Sequence, residues 1–193
     1  MNRIIILLFL FVATALSVNC MMNNLKEKVV MAKKPIDNKC LSDLMNTTKT
    51  LMERCEFFKC FEERFPCGEN YWILNWGYKY CRRYADPEFI NKFTPDGKKL
   101  LDHINNCLPK SLEKFYKAKR SIKCKKLNGD AFEAQGKCYA QAQKEFCKGF
   151  PENKKHFLDV LDQKDFMNMD SIRMIKETAD RCNPKINLYE LIG

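Results

Sequence analysis

Apolar side chains recur every three or four positions along most of this chain, which is the spacing of one face of an α-helix. A first amphipathic helix is predicted over residues 41–55, with an apolar stripe of Leu41, Leu44, Met45, Thr48, Leu51, Met52 and Cys55. A second is predicted over residues 94–108, because Thr94 can cap it, Pro95 suits its first position and Pro109 ends it. Further helices are predicted over residues 111–123, 130–147, 154–161 and 170–181.

The alternation of apolar and polar residues that is typical of a strand is scarce. Only seven glycines and seven prolines are present, and loops are predicted over residues 65–70 and 148–153, which contain both types. No low-complexity linker or internal repeat separates the predicted helices. The pattern therefore predicts an all-α fold, a helical bundle in a single domain.

The N-terminus has the three parts of a secretory signal peptide. Arg3 gives a short positive region, residues 4–12 are an unbroken apolar run, and Ala13-Thr14-Ala15 provides the small residues of a cleavage site. The apolar run is well short of the ~20 residues needed to cross a bilayer. We therefore expect a signal peptide over residues 1–15, with its boundary between residues 15 and 20, and a secreted, extracellular product.

Residues 16–39 are predicted to form an N-terminal arm or a pro-segment. Lys33-Lys34 is a candidate processing site within it, although Pro35 directly afterwards disfavours cleavage there. The predicted folded domain covers residues 40–182, and residues 183–193 form a short C-terminal tail.

Ten of the eleven cysteines lie inside the predicted domain: Cys40, Cys55, Cys60, Cys67, Cys81, Cys107, Cys124, Cys138, Cys147 and Cys182. Because the cysteines of exported proteins oxidise, this density predicts a disulfide-rich framework of five bridges. Ten cysteines allow roughly 945 pairings, nine times the 105 of eight cysteines, so spacing alone cannot choose among them. The eleventh, Cys20, lies apart near the predicted leader.

Basic residues outnumber acidic ones by 34 to 24, which gives a formal net charge of +10, or +9 after loss of Arg3 with the leader. Glu113 is the only acid in a segment with eight basic residues: Lys110, Lys114, Lys117, Lys119, Arg120, Lys123, Lys125 and Lys126. This segment is either a solvated helix face or a docking surface for an acidic partner, such as a sulfated glycan or an acidic receptor. Nucleic acid is not an expected partner, because export is predicted and no nucleic-acid-reading motif is visible.

Residues suited to catalysis are few. The chain has two histidines, His103 and His156, and His103 follows Asp102 in the reverse of the His-Asp order of secreted phospholipases A2. No hydrolase, zinc-protease or phosphate-loop motif occurs, and bridged cysteines can neither attack a substrate nor bind a metal. We therefore predict no enzymatic activity, no cofactor and no metal site.

Aromatic residues are concentrated over residues 71–80, which include Trp72 and Trp76. Such a cluster can be an exposed recognition surface. The other interpretation is a core position, which the neighbouring Cys81 favours because aromatic rings that crowd a disulfide usually pack inside.

The order and spacing of the cysteines resemble those of a known family. The intervals are four residues in Cys55–Cys60, thirteen in Cys124–Cys138 and thirty-four in Cys147–Cys182. Between them, Phe93-Thr-Pro-Asp-Gly97-Lys98 ends nine residues before Cys107. This series resembles the stanniocalcins, which are secreted, disulfide-linked glycoprotein hormones, over the whole predicted domain.

The resemblance implies a pairing that spacing does not: Cys40–Cys60, Cys55–Cys81, Cys67–Cys124, Cys107–Cys138 and Cys147–Cys182. It also implies a hormone or paracrine factor in calcium and phosphate homeostasis, which acts through a cell-surface receptor or a secreted protein partner. The alternative function is a secreted helical binding module without hormone action, which would be a lipid carrier, a cell-surface ligand or a protease inhibitor.

The chain departs from the family pattern in two ways. The glycosylation site that the family has between the counterparts of Cys60 and Cys67 is missing, and the one sequon is Asn46-Thr47-Thr48 on the predicted first helix. The downstream cysteine that joins two stanniocalcin subunits is also missing. Cys20 either replaces it and links a homodimer, or is removed with the leader or pro-segment.

Overall fold

The computed structural model describes residues 27–46, 48–118, 120–162, 165 and 169–182. The predicted signal peptide, Cys20, Lys119 and the predicted C-terminal tail lie outside these residues. The helices are α1 (Asn38–Met45), α2 (Leu51–Arg54), α3 (Glu56–Arg64), a π-helix (Ile73–Tyr78), α4 (Lys79–Ala85), α5 (Pro87–Ile90), α6 (Pro95–Tyr116), α7 (Cys124–Gln141), α8 (Gln143–Val160) and α9 (Met169–Ala179). Two short strands are β1 (Val29–Met31) and β2 (Ser121–Lys123).

The structure confirms an all-α, disulfide-rich helical bundle in a single domain. The long helix α6 lies at its centre and packs against both α7 and α8, while α9 packs against α7 and α8. One continuous apolar cluster joins these helices to α3, the π-helix and α4. In the part of the chain that the structure describes, every helix is too short or too polar to cross a lipid bilayer.

The predicted helix over residues 41–55 is wrong as one element, because the chain leaves the helix at Asn46 and re-enters it after Thr50. The Asn46 side-chain oxygen accepts hydrogen bonds from the backbone N–H and the hydroxyl of Thr48, at 2.9 and 2.8 Å, which stabilises a turn in place of the helix. Thr50 then forms a capping box with Glu53. The backbone N–H of Thr50 is the main reason that the pKa of Glu53 falls to about 2.

Helix α6 begins where the sequence predicts but does not end at Pro109. Thr94 caps it through a 3.3 Å bond from the Gly97 N–H. Pro109 lies inside the helix, fully buried between Leu108 and Leu112, so continued burial of this apolar face offsets the backbone hydrogen bond that proline removes. The separate helix predicted over residues 111–123 is therefore wrong: its first half belongs to α6, and its end is β2.

Helices α7 and α8 also differ from the prediction. The structure divides residues 130–147 at Ala142 and replaces the predicted loop over residues 148–153 with the middle of α8, which contains both Gly149 and Pro151. The predicted helix over residues 154–161 is the end of this same helix. The loop predicted over residues 65–70 is present, with Gly68 at φ +102°, and the last helix is close to its predicted position.

The glycine in the middle of α8, Gly149, is required by a close contact between two helices. A β-carbon there would lie 2.7 Å from the carbonyl oxygen of Asp96, so only glycine lets α8 approach the first turn of α6. Beside this contact, the buried Asn153 accepts from the Thr94 N–H at 2.8 Å and donates to the Thr94 hydroxyl at 2.7 Å and to the Gly149 carbonyl at 2.6 Å. One amide thus satisfies polar groups of both helices at their crossing.

Part of the predicted N-terminal arm packs on the domain. Strand β1 pairs with β2 in antiparallel register, with Val29 opposite Lys123, Val30 opposite Ile122 and Met31 opposite Ser121. The Cys124 N–H extends this ladder by donating to the Lys28 carbonyl at 2.8 Å. Residues 28–31 are thereby held on the same unit as α7.

The structure joins the five cysteine pairs that the stanniocalcin resemblance implies: Cys40–Cys60, Cys55–Cys81, Cys67–Cys124, Cys107–Cys138 and Cys147–Cys182. Their Cα–Cα distances of 5.4 to 6.5 Å lie within the normal range for disulfides. Each bridge links different helices or a helix to a loop, so the five together cross-link segments that are far apart in the sequence.

The aromatic residues at 71–80 are core residues. Trp72 and Trp76 are 2% and 7% exposed, and both rings meet Phe132 edge-on, at centroid distances of 6.3 and 5.4 Å. Gly77 in the π-helix lets the chain pass these rings, because a β-carbon there would lie 2.7 Å from Phe58 and from Trp72.

Candidate functional site

The strongest surface feature is the basic segment, of which the structure describes seven side chains. All seven are exposed, and we call them the basic surface: Lys110, Lys114, Lys117, Arg120, Lys123, Lys125 and Lys126. The segment runs from the last turns of α6, through β2, to the first turn of α7. It thus consists of a helix end, a strand and a helix start, and not of the single helix face that one of the two interpretations of the sequence requires.

Only part of the basic surface is neutralised by nearby acids. Lys117 pairs with Glu113 at 2.5 Å and Lys126 with Asp130 at 2.8 Å, both within one helix. Within the described part of the chain, the other five side chains of the basic surface form no ion pair: Lys110, Lys114, Arg120, Lys123 and Lys125. Three of them, Arg120, Lys123 and Lys125, are adjacent around β2, and these three unpaired cations are therefore the part most available to an acidic partner.

Two exposed apolar side chains lie next to these cations. The alternation of the strands buries Val30 and Ile122 and turns Val29 and Met31 outward, with 58% and 62% of each residue exposed. Val29 is directly opposite Lys123 in the ladder. The outer face of the β1–β2 ribbon thus combines apolar contact area with positive charge, which is a common composition of protein-binding surfaces.

Arg64 positions this ribbon from within. The side chain is 4% exposed, and its guanidinium donates to the backbone carbonyls of Tyr116 at 3.0 Å, Ala118 at 2.8 Å and Lys34. Two of these acceptors lie at or just beyond the C-terminal end of α6, where the helix dipole favours a cation. Arg64 therefore ties the chain after β1 to the chain before β2.

The roles of Arg64 and of the exposed pair Val29 and Met31 in this surface are not recognisable from the sequence. Arg64 follows two glutamates, so the local sequence suggests one more exposed charge. Its hydrogen-bond acceptors are 30 to 54 residues away in the sequence and leave no local signal. Three residues are too few for the strand alternation of residues 29–31 to stand out. The clustered lysines were the only signal of this surface in the sequence.

The structure does not form a phospholipase-like Asp-His pair. Asp102 accepts from Arg54 at 3.0 Å on the surface, and the same guanidinium donates to Asn106. The Nε2 atom of His103 is buried and has no hydrogen-bond partner among the described residues. The described residues also contain no group of three or more side chains placed to hold a metal ion.

We expect Asn46 to be glycosylated, because the turn between α1 and α2 exposes it and removes it from the helix predicted there. Peptide N-glycosidase treatment of the protein secreted by eukaryotic cells should increase its electrophoretic mobility, and Asn46→Gln should have the same effect without the enzyme. Thr48→Ser retains the sequon and should migrate as the wild type. Equal mobility of wild type and Asn46→Gln would contradict this expectation.

The disulfide pattern and the β1–β2 ribbon with its cations are therefore the features from which a function can be argued. Comparisons of the chain with protein-family profiles, curated proteins and solved structures found no match.

Proposed function

We propose that this protein is a secreted, stanniocalcin-like glycoprotein hormone or paracrine factor that acts by binding and not by catalysis. The observation that carries the proposal is the cysteine pairing. Ten cysteines allow roughly 945 complete pairings, and the five bridges of the structure are those that the stanniocalcin resemblance implies. This agreement is what supports the proposal.

An extracellular place of action agrees with this proposal. Five disulfides in one domain indicate an extracellular or secreted protein. A bridged bundle with one continuous apolar core suits a ligand that must survive outside the cell. The role that the resemblance implies is control of calcium and phosphate balance through a receptor or a secreted protein partner, and a homodimer linked by Cys20 belongs to the same proposal.

We propose the β1–β2 ribbon and the basic surface as the contact with that partner. The unpaired cations Arg120, Lys123 and Lys125 supply long-range attraction to an acidic receptor or a sulfated glycan. Val29 and Met31 supply apolar area that contact would bury, at about 25 cal/mol per Å². Charge sets the rate of encounter and its salt dependence, and the apolar pair contributes to the lifetime of the complex.

Reversal of the three unpaired cations should weaken this contact. The variant Arg120→Glu/Lys123→Glu/Lys125→Glu should lose retention on heparin at physiological salt, and its saturable binding to intact cells should fall by on the order of a hundredfold, since each lost charge contact is worth up to ~1 kcal/mol. Elution from a heparin column and binding of labelled protein to cells measure the two effects.

A matched control carries the same charge change elsewhere. Lys144→Glu/Lys148→Glu/Lys155→Glu alters three exposed lysines of α8 and should lower retention only slightly. Equal losses in both variants would mean that net charge alone decides binding. No loss in the ribbon variant would show that the segment is a solvated surface. In wild-type protein, a Cys40–Cys55 link in a non-reducing peptide map would remove the basis of the stanniocalcin proposal.

A further inference from the structure

A second site lies inside the bundle. A cavity of about 70 Å³ is lined by residues of the π-helix, α4, α6, α7, α8 and α9. Its walls are mostly apolar and rich in aromatic rings, and both tryptophans of the chain, Trp72 and Trp76, contribute to them. Gly77 also lines it, at the place where the π-helix passes the tryptophan and phenylalanine rings. Irregular π-helical turns occur often at functional sites.

Three polar atoms of the cavity-lining residues are buried without a hydrogen bond. Within the described part of the chain, Nδ2 of Asn105, Oε1 of Gln135 and Nε1 of Trp72 have no partner. Asn105 and Gln135 are 8% and 9% exposed, and Trp72 is 2% exposed. Native proteins satisfy nearly all such groups, because loss of water around an unpaired dipole is not compensated by packing. Three around one cavity therefore need a partner.

The other polar groups of the wall do not provide it. Tyr84 donates its hydroxyl to the Phe157 carbonyl at 3.2 Å, and Tyr80 donates to Asp165 at 2.5 Å. Burial raises the pKa of Tyr139, which also lines the cavity, to about 12, so this environment disfavours charge. None of the cavity-lining residues in the described chain is charged, and an anionic ligand such as a fatty acid would find no cation here.

We infer that this cavity binds a small, neutral, mostly apolar molecule that carries one hydroxyl group. Such a group can donate to Oε1 of Gln135 in α7 and accept from Nδ2 of Asn105 in α6, since both residues line the cavity. The aromatic wall receives the apolar part of the molecule. An apolar cavity of about 150 Å³ accommodates the six heavy atoms of benzene, so about half that volume suits a molecule of roughly three heavy atoms.

The inference does not depend on the proposed hormone function, because the cavity and the β1–β2 ribbon share no residue. It is tested with two probes of equal size, ethanol and propane, each of which has three heavy atoms. Methyl NMR of the intact, oxidised protein can follow binding at Met174, which lines the cavity, with the exposed Met31 as internal control. We expect ethanol to shift the Met174 resonance saturably and to leave Met31 unchanged.

Two substitutions identify the polar contact. Gln135→Met and Asn105→Leu keep the shape of the side chain and remove the unpaired polar atom, so the protein should remain folded. Each should weaken ethanol binding by on the order of tenfold relative to propane binding. Melting curves of the two variants check the fold, and either variant suffices if the other fails to fold.

Several results would overturn the inference. Absence of binding of both probes, up to the highest concentration at which the protein stays folded, would mean that only water serves these polar atoms. An unchanged ratio of ethanol to propane affinity in the two variants would mean that Asn105 and Gln135 do not recognise the hydroxyl group. Equal shifts at Met174 and Met31 would show that the alcohol acts as a solvent and not as a ligand.

Discussion

Arg64→Met is expected to lower the free energy of unfolding by roughly 3 kcal/mol, because it leaves buried carbonyl oxygens without their donor. Methionine can fill the space but cannot donate to Tyr116, Ala118 or Lys34. The guanidinium also lies 4.9 Å from the ring centroid of Phe65, and this cation–π contact is lost as well. Denaturant titration of the oxidised protein measures the change.

The local effect should be larger than the global one. Arg64 connects the chain on both sides of the β1–β2 ribbon, so the Ala32 amide, which donates to the Arg120 carbonyl at 2.8 Å, should exchange its hydrogen much faster in the variant. Amides in the middle of α8 should change only with the global stability. A uniform increase in exchange would contradict the assigned role of Arg64.

Arg82→Met is the matched control for Arg64. Arg82 is an exposed arginine whose pair with Glu56, at 3.1 Å, is also exposed. Such pairs contribute about 0–1 kcal/mol, so the control should unfold close to the wild type. Arg64→Lys should fall between the two, because a single ammonium group cannot reach three carbonyls that are arranged around a planar guanidinium. Equal losses for both methionine variants would refute the argument.

Gly149→Ala is expected to destabilise the protein by about 2 kcal/mol, although alanine is the better helix former. The added β-carbon would lie 2.7 Å from the Asp96 carbonyl oxygen and 3.0 Å from the Gly97 nitrogen. Both are backbone atoms of the first turn of α6, so relief requires the two helices to separate. Separation would also stretch the hydrogen bonds of Asn153 to Thr94.

Gly129→Ala, which also replaces a glycine inside a helix, is expected to change the stability in the opposite direction. Gly129 lies within α7, and a β-carbon there meets no atom within 4 Å. Alanine should therefore stabilise the protein by about 0.5–1 kcal/mol. Urea titrations of the two variants under identical conditions compare the signs directly. Equal stability of Gly149→Ala and Gly129→Ala would show that α6 and α8 can separate without cost.

Short-range signals predicted the parts of the fold that depend on neighbouring residues. The start of α6 follows from Thr94 and Pro95, whose capping and φ preferences act within one turn. The position of α9 and the loop around Gly68 are of the same kind. The disulfide-rich, helical character follows from the cysteine count and the helical period.

Breaker residues misled the prediction wherever burial outweighed them. Pro109 and Pro151 each remove one backbone hydrogen bond, yet both lie inside long helices. Gly149 is a residue type that usually indicates a loop, but here it lies inside α8 and permits the close contact with α6. The turn at Asn46 went unrecognised for the opposite reason, since an apolar stripe continued through a segment that local side-chain hydrogen bonds fold into a turn.

The sequence by itself predicted the class of this protein, a helical, disulfide-rich domain, and showed a concentration of positive charge. These properties follow from composition and from interactions within a few residues. Only the tertiary structure decided which cations remain unpaired, that Arg64 is buried, that Val29 and Met31 face outward, and that Asn105 and Gln135 border one cavity. Each of these depends on contacts between residues far apart in the chain, which packing of the whole bundle selects and no local pattern encodes.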